Sequence, residues 1–429
     1  MTKGEINRLG ERIARAPTHV DGADVELLQN FRVSFREPIA EVFSFLSNAV
    51  KKVDKNCVVT YRIKRIDSII RKLGRFAQSD KGSMQLSRMG DIAGCRCIFN
   101  SSDEQKLYGL VDLIRKEYGS DVTVNDSVKN PKPTGYRSIH VYVKDHKTKK
   151  PVEIQIRNRT HHNWATLVEI VDVLYHTSIK ELGPIGPLGE FLVLYSNKEI
   201  LNKKERLRLL RIESKEKLFE RISSIFTSNY LGIKHCWLNQ YSKGSFFVIE
   251  TDNGRSSISV FPSFDQAEKE YYSRYLANMQ ANIVLTHIKN PSFEEISMAY
   301  SNYVLAMHAF IDEYRELLIN HIVDCVDKRA YVDFWHAFNV YYRNLRCYFK
   351  SISREIKSVE EYRVSNKVNK SQLKKWVKDL TQQAYRWKYE TKTFVKRLAK
   401  ASKQNLFFAI VIPTRLRKLT RVINQARQE

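Results

Sequence analysis

The chain has 429 residues, 43% of them hydrophobic, and carries 72 Lys and Arg against 47 Asp and Glu, a formal charge of +25. That length and apolar share are enough for two or three cores, with no low-complexity segment and no internal repeat. The longest apolar run, Leu406 to Ile412, is far too short for a bilayer, no secretory pattern opens the sequence, and the six cysteines form no C-x-x-C pair. A membrane span, a zinc site and a disulfide framework are therefore not expected, and a cytoplasmic place is.

In chain order, residues 1–44 read as an N-terminal helical segment. In TYRIKRIDSIIRKLGRF, Ile63, Ile66, Ile70 and Leu73 recur at helical spacing as a buried stripe, while Lys64, Ser68 and Lys72 share another face with Arg62 at or before the first turn. SRMGDIAGCRCIF places Asp91 before a short strand whose apolar set is Cys95, Cys97 and Phe99, with Arg96 on the other side. A Pro- and Gly-rich turn, NPKPTGYRSIHVYV, leads into a strand with Ile139, Val141 and Val143 on one face and Ser138, His140 and Tyr142 on the other. The next strand repeats the alternation, with Val152, Ile154 and Ile156 opposite Glu153, Gln155 and Arg157. Alternation alone describes any half-solvated sheet. Two strand-borne acids, a basic helix face and several arginines together describe a nucleotide site.

These four segments resemble the synthetase domain of the RelA/SpoT family, closest to its small stand-alone and toxic members, over roughly residues 45–180. The motifs fall in the family's order: R-x-K-x-x-x-S-I-x-x-K at Arg62 to Lys72, D-x-x-G-x-R at Asp91, Gly94 and Arg96, the loop from Asn130 to His140, and E-x-Q-I-R at Glu153 to Arg157 followed by Trp164-Ala165-Thr166. The resemblance implies an α+β fold, a mixed sheet flanked by helices like that of nucleotidyltransferases, and transfer of pyrophosphate from ATP to a nucleotide 3′-hydroxyl. It further implies that Arg62 and Arg96 bracket the adenine and that Lys64, Ser68 and Lys72 hold the triphosphate. Asp91 and Glu153 would bind Mg²⁺, and Tyr136 would stack on the acceptor base beside Lys132, Ser138, His140, Gln155 and Arg157. Arg137, with Lys132 and Arg157, would offset charge developing on phosphate oxygens.

The acceptor stays open between GDP or GTP and the 3′-terminal adenosine of tRNA, the latter making a translation-blocking toxin, as in phage defence. The acceptor motifs depart from the family pattern at Asn158 and Val168-Glu169, and His161 and His162 fall where such enzymes tend to be apolar. From His321 onward there are 25 Lys and Arg against 9 Asp and Glu. A surplus of that size suits a large polyanion and places tRNA slightly ahead. A non-catalytic RNA- or ribosome-binding protein is the remaining alternative, opposed by the presence of both Asp91 and Glu153.

The expected domains are 1–44, a synthetase domain over 45–183, a linker and connector helices over 184–235, a small α+β unit over 236–320 and a basic helical region over 321–429. The α+β unit is read from a hairpin around Asp252-Asn253-Gly254, a helix from Phe264 to Met279, a strand from Asn282 to His287 and a helix from Ser292 to about Leu318. By analogy with fused toxin–antitoxin synthetases it is expected to restrain the enzyme until a protein trigger binds. Tyr272/Tyr275 and Tyr300/Tyr303 match a spacing used in some such restraints, but 22 tyrosines make one match a chance event. Tyr331, Phe334, Trp335, Phe338, Tyr341, Tyr342 and Phe349 read as a core stripe. Trp376, Tyr385, Trp387 and Tyr389, interleaved with Lys374, Lys375, Lys378, Arg386 and Lys388, read equally as core or as an RNA-binding surface.

Overall fold

The computed structural model describes residues 1–78, 84–223, 233–234, 236–237, 240, 244–252, 255–279, 281–289, 291–304, 309–364 and 370–402. The Asn253-Gly254 turn, the Leu406 to Ile412 run and the part of the basic tail beyond residue 402 lie outside them. Among the described residues no helix is long and apolar enough to cross a membrane. The chain divides into two compact units, Met1–Ala165 with Gln240–Val304, and Thr166–Asn239 with Leu305–Glu429.

The first unit opens with α1 (Lys3–Arg15), α2 (Gly22–Val33) and α3 (Arg36–Val53), followed by β1 (Val58–Ile63), α4 (Ile66–Ala77), β2 (Ala93–Phe99), α5 (Gln105–Tyr118), β3 (Thr123–Asp126), β4 (Ile139–Lys144) and β5 (Pro151–Asn158). α6 (Arg159–Tyr175) leads into the second unit, which holds α7 (Ile179–Leu182), α8 (Gly186–Ser196) and α9 (Lys203–Glu216). The chain then returns with β6 (Phe246–Asp252), β7 (Arg255–Phe261), α10 (Phe264–Ala277), β8 (Asn282–Ile288), α11 (Phe293–Ala299) and α12 (Ser301–Val304). The second unit closes with α13 (Phe310–Asp327), α14 (Tyr331–Val364) and α15 (Lys370–Ser402).

All eight strands form one mixed sheet in the order β3-β4-β5-β2-β1-β8-β6-β7. β2 and β5 are parallel; the other neighbours are antiparallel. This corrects the reading of residues 236–320 as a separate α+β unit, because β8 pairs directly with β1, Arg62 opposite Thr286. The physical reason is that the nearer strands fill only one edge of β1, and the other must find a partner when both faces are covered. The single helix expected from Ser292 to about Leu318 is likewise broken into α11, α12 and α13.

Register sorts the side chains into two faces. Tyr61, Ile63, Cys95, Cys97, Ile139, Val141, Ile154 and Ile156 are buried on the apolar face with residues of α3 and α5. Thr60, Arg62, Arg96, Glu153, Gln155, His140 and Tyr142 share the opposite face, since Arg96 lies across from Thr60 and Gln155, and Glu153 from Tyr142.

Helix α4, which carries Ser68 and Lys72, has no capping side chain of its own at Arg65. Its first N–H, that of Ile66, donates instead to the Tyr271 hydroxyl of α10 at 3.1 Å. Tyr271 is itself fixed by Arg32, whose fully buried guanidinium lies 4.1 Å from its ring and donates to the Lys64 carbonyl (2.6 Å) and to Gln29 (2.8 Å). Helices more than two hundred residues apart in sequence thus hold the start of α4. Tyr271→Phe keeps the ring and orphans a buried N–H, and is expected to lower stability by about 1–3 kcal/mol in denaturant unfolding. An unchanged midpoint would mean that water replaces the cap.

The second unit is helical throughout. Phe191, Tyr195, Phe310 and Tyr314 pack together, and Trp387 stacks on Tyr348 with ring centroids 3.4 Å apart and planes at 9°. Trp387 is therefore core, not a base-stacking platform; the Trp376 and Lys375 side chains lie outside the described residues. Glu213 is fully buried in this unit and accepts from the Phe219 N–H (3.2 Å), the Tyr314 hydroxyl (3.2 Å) and Arg343 (3.3 Å). Burial outweighs these donors and pushes its carboxyl up to about 7. A carboxyl raised on folding favours the folded state fully below its unfolded value, and that contribution is lost as pH rises through about 7. Glu213→Gln should accordingly flatten the decline in melting temperature between mildly acidic and mildly alkaline buffer. Parallel declines in both proteins would contradict the assignment.

Candidate active site

The β1–α4 connection, α4 and the loop before β2 bring Lys64, Lys72 and Asp91 together. Lys64 Nζ lies 2.8 Å from Asp91 Oδ2, and Lys72 Nζ lies 2.8 Å from Asp91 Oδ1. Burial by itself would raise the Asp91 pKa, but the two ammonium groups outweigh it and hold the carboxyl below its usual value. Burial conversely lowers that of Lys64. Ser68, one turn before Lys72, accepts from Arg65 Nε at 3.2 Å.

The other carboxylate stands on β5. His140 Nδ1 meets Glu153 Oε1 at 2.6 Å, the Tyr142 hydroxyl donates to the same oxygen (3.1 Å), and Gln155 Nε2 donates to Oε2 (3.0 Å). Burial works to raise the Glu153 pKa, yet these partners, His140 foremost, hold it down at about 2. An ionised carboxylate only accepts, so Nδ1 of His140 carries a proton, and Nε2 faces the Tyr136 hydroxyl at 2.7 Å. Arg157 Nη2 donates to that hydroxyl at 2.5 Å. The result is a continuous chain from Arg157 through Tyr136 and His140 to Glu153.

Lys132 Nζ and the Arg157 guanidinium both lie 5.1 Å from the Tyr136 ring. Burial tends to raise the Tyr136 pKa, but the Arg157 charge and His140 draw it down to about 7. Arg137 Nη1 turns back to the Gly135 carbonyl at 3.4 Å. Ser138 is fully buried; its hydroxyl lies 3.4 Å from the Ile156 carbonyl, and its side chain also hydrogen-bonds Tyr136.

The adenine-side arginines occupy adjacent register positions, Arg62 opposite Gly94 and Arg96 opposite Thr60. Arg96 is engaged by the C-terminal end of α11: its Nη1 donates to the Ala299 carbonyl (2.7 Å) and its guanidinium lies 5.7 Å from the Tyr300 ring. Arg65 lies 6.0 Å from the Tyr303 ring, and His162 Nε2 is 2.7 Å from the Met298 carbonyl. Tyr300 is anchored by hydroxyl contacts with Thr286 and Thr60. Sequence reasoning weighted Tyr300/Tyr303 at chance. A backbone carbonyl such as that of Ala299 leaves no sequence signal at all.

Among the described residues no group of three His, Cys, Asp or Glu side chains could hold a metal unaided. Asp91 and Glu153 nevertheless fit Mg²⁺ by donor chemistry, two hard carboxylates being the number usual where substrate phosphates complete the shell. Each has cationic or hydrogen-bonding partners at both oxygens, and Gly94 adds no side chain beside Glu153 Oε2.

The Tyr136 environment can be read optically: one tyrosine should ionise near neutral pH in an ultraviolet titration. Tyr136→Phe should remove that phase and Arg157→Gln should shift it upward. A titration with no phase below the ordinary tyrosine range would refute the geometry.

A family model described as "Region found in RelA / SpoT proteins" matches residues 61–179. A GTP pyrophosphokinase of Haemophilus influenzae is 32% identical over 146 residues, covering 34% of this chain and 18% of that protein. A GTP pyrophosphokinase of Bacillus subtilis is 31% identical over 113 residues, 25% of this chain and 53% of that one. The chain thus spans under a fifth of the first relative and about half of the second. The crystal structure of small alarmone synthetase 1 from Bacillus subtilis bound to its product pppGpp aligns at 23% identity over 40% of this chain and 90% of that one, with a TM-score of 0.32.

Proposed function

This chain carries a RelA/SpoT-type synthetase domain, and on that premise we propose that it is an ATP-dependent pyrophosphokinase using Mg²⁺. The observation that carries the reading is a part-buried carboxylate, Asp91, held by Lys64 and Lys72, and a buried one, Glu153, held by His140 beside an aromatic, cationic loop. In the reaction the acceptor 3′-oxygen bonds to the β-phosphorus of ATP, the bond from that phosphorus to the α,β-bridging oxygen breaks, and AMP leaves. The hydroxyl proton passes to water.

Bound Mg²⁺ supplies positive charge to the transferring phosphates. The chain's own residues do the positioning. Lys64 and Lys72 move from Asp91 to the triphosphate, which is the better partner for two ammonium groups, and release Asp91 for the metal. Glu153, held at about 2, is a poor base and acts in orientation and metal binding. Tyr136 offers its ring to the acceptor base, with Lys132, Arg137 and Arg157 around the phosphates.

A guanine nucleotide acceptor is supported by the names of the relatives, both GTP pyrophosphokinases. The second reading, the 3′-terminal adenosine of tRNA and hence a toxin, is supported by the net charge of +16 after residue 320. ATP labelled in its terminal phosphate and offered with GDP, GTP or deacylated tRNA in separate reactions distinguishes them by where the label goes. Asp91→Ala and Glu153→Ala should each abolish transfer to any acceptor, with circular dichroism unchanged. Full activity in either would sink the metal assignment.

We read the stretch 293–304 as a restraint on the donor site, relieved by a protein trigger. Arg96 spends on the Ala299 carbonyl and the Tyr300 ring the contacts that an adenine would require. Tyr300→Ala should therefore tighten ATP binding and raise transfer about tenfold, a gain a purely structural role would not produce. Weaker ATP binding in a folded Tyr300→Ala protein would identify the segment as part of the ATP site.

A further inference from the structure

α15 carries two groups of exposed lysines on one face that the synthetase chemistry does not use. Lys374, Lys378, Lys392, Lys396 and Lys400 are all exposed. At 3.6 residues per turn they fall within a sector of roughly 80°, and the first and last are about 40 Å apart along the axis. Tyr385 and Tyr389, 63% and 72% exposed, lie inside the same sector midway along it. The two acids of this helix, Asp379 and Glu390, fall outside the sector, and Glu390 is taken by Arg386 and Arg315. Trp387, Phe394 and Leu398, on the opposite side, are the buried anchors.

We propose that this face of α15 is a docking surface for single-stranded RNA, the lysines pairing with phosphates and the two tyrosines stacking on bases. One helical turn, about 6 Å of rise, separates the tyrosines, close to twice the base-stacking repeat of about 3.4 Å, so an unstacked base fits between them. Lysines without acidic neighbours cost self-repulsion that only a polyanion relieves.

Other occupants match less well. The 27 residues that follow α15 carry six Lys and Arg and one acid, so they repel the stripe. A second copy of a chain at +25 does the same. A lipid surface would require large aliphatic or Trp side chains on this face, and it has none. Because the surface is read from α15 alone, it stands whichever acceptor the synthetase domain uses.

Fluorescence anisotropy of the full chain with a labelled, unstructured RNA oligonucleotide, over a series of salt concentrations, tests the proposal. Replacing the five lysines by Gln should weaken binding more than tenfold and reduce the magnitude of the log–log salt slope by about 3. Y385A/Y389A should weaken it about tenfold with the slope unchanged. A control with Lys3, Lys51, Lys52, Lys116 and Lys147, all exposed and elsewhere, changed to Gln should bind as the parent does. Equal loss in the control would overturn the proposal in favour of net charge. Parental affinity in the stripe variant would overturn it outright. Competition by polyglutamate as effective as unlabelled RNA, with the tyrosine variant silent, would replace RNA with an acidic protein.

Discussion

The polar face of the sheet exists in its present form because β1 has a partner on each edge. β2 fixes Arg62 beside Gly94 and sets Thr60 across from Arg96, while β8 sets Thr286 across from Arg62. Remove either neighbour and one of these positions loses its register, since a strand slip of one residue exchanges the two faces. With both in place, Arg96 meets the Ala299 carbonyl and the Tyr300 ring. The polar face around Arg96 is therefore a property of the eight-stranded sheet and not of β1 to β5 alone.

Charge compensation results from that packing. Two carboxylates in a largely covered site would be costly to ionise without partners. Asp91 is stabilised by Lys64 and Lys72, Glu153 by His140, Tyr142 and Gln155, and the Tyr136 hydroxyl by Arg157. With these pairs in place no carboxylate of the site is left as a bare charge.

Most of the polar face was legible in the sequence, because period-two alternation fixed which residues of β4 and β5 point together; Lys64, read on the helix face with Ser68 and Lys72, lies instead just before α4 and reaches Asp91 from there. Alternation carries no information about where a strand begins, so the burial of Ser138 just before β4 and its contact with the Ile156 carbonyl were not legible. The larger failure concerned residues 244–304. Their strands and α10 could be seen, but pairing between β1 and β8 spans more than two hundred residues and depends on an edge that only the assembled sheet reveals. Tyr271 and Arg32 escaped for the same reason: a cap supplied by a distant helix has no local motif. In α15, periodicity could not decide which aromatics were core, and the packing decided it by burying Trp387 and leaving Tyr385 and Tyr389 outside.

Thr286 donates to the carbonyl of Tyr61 across 225 positions of sequence. A ribosome releases the N-terminal strands of this sheet well before β8 has been made. During that interval β1 presents an unpaired edge beside an apolar face, and neither Ala299 nor Tyr300 is there to meet Arg96. The first half of the sheet is thus open to misplaced pairing until β8 emerges. The length of that exposure is set by how fast residues 166–288 are translated.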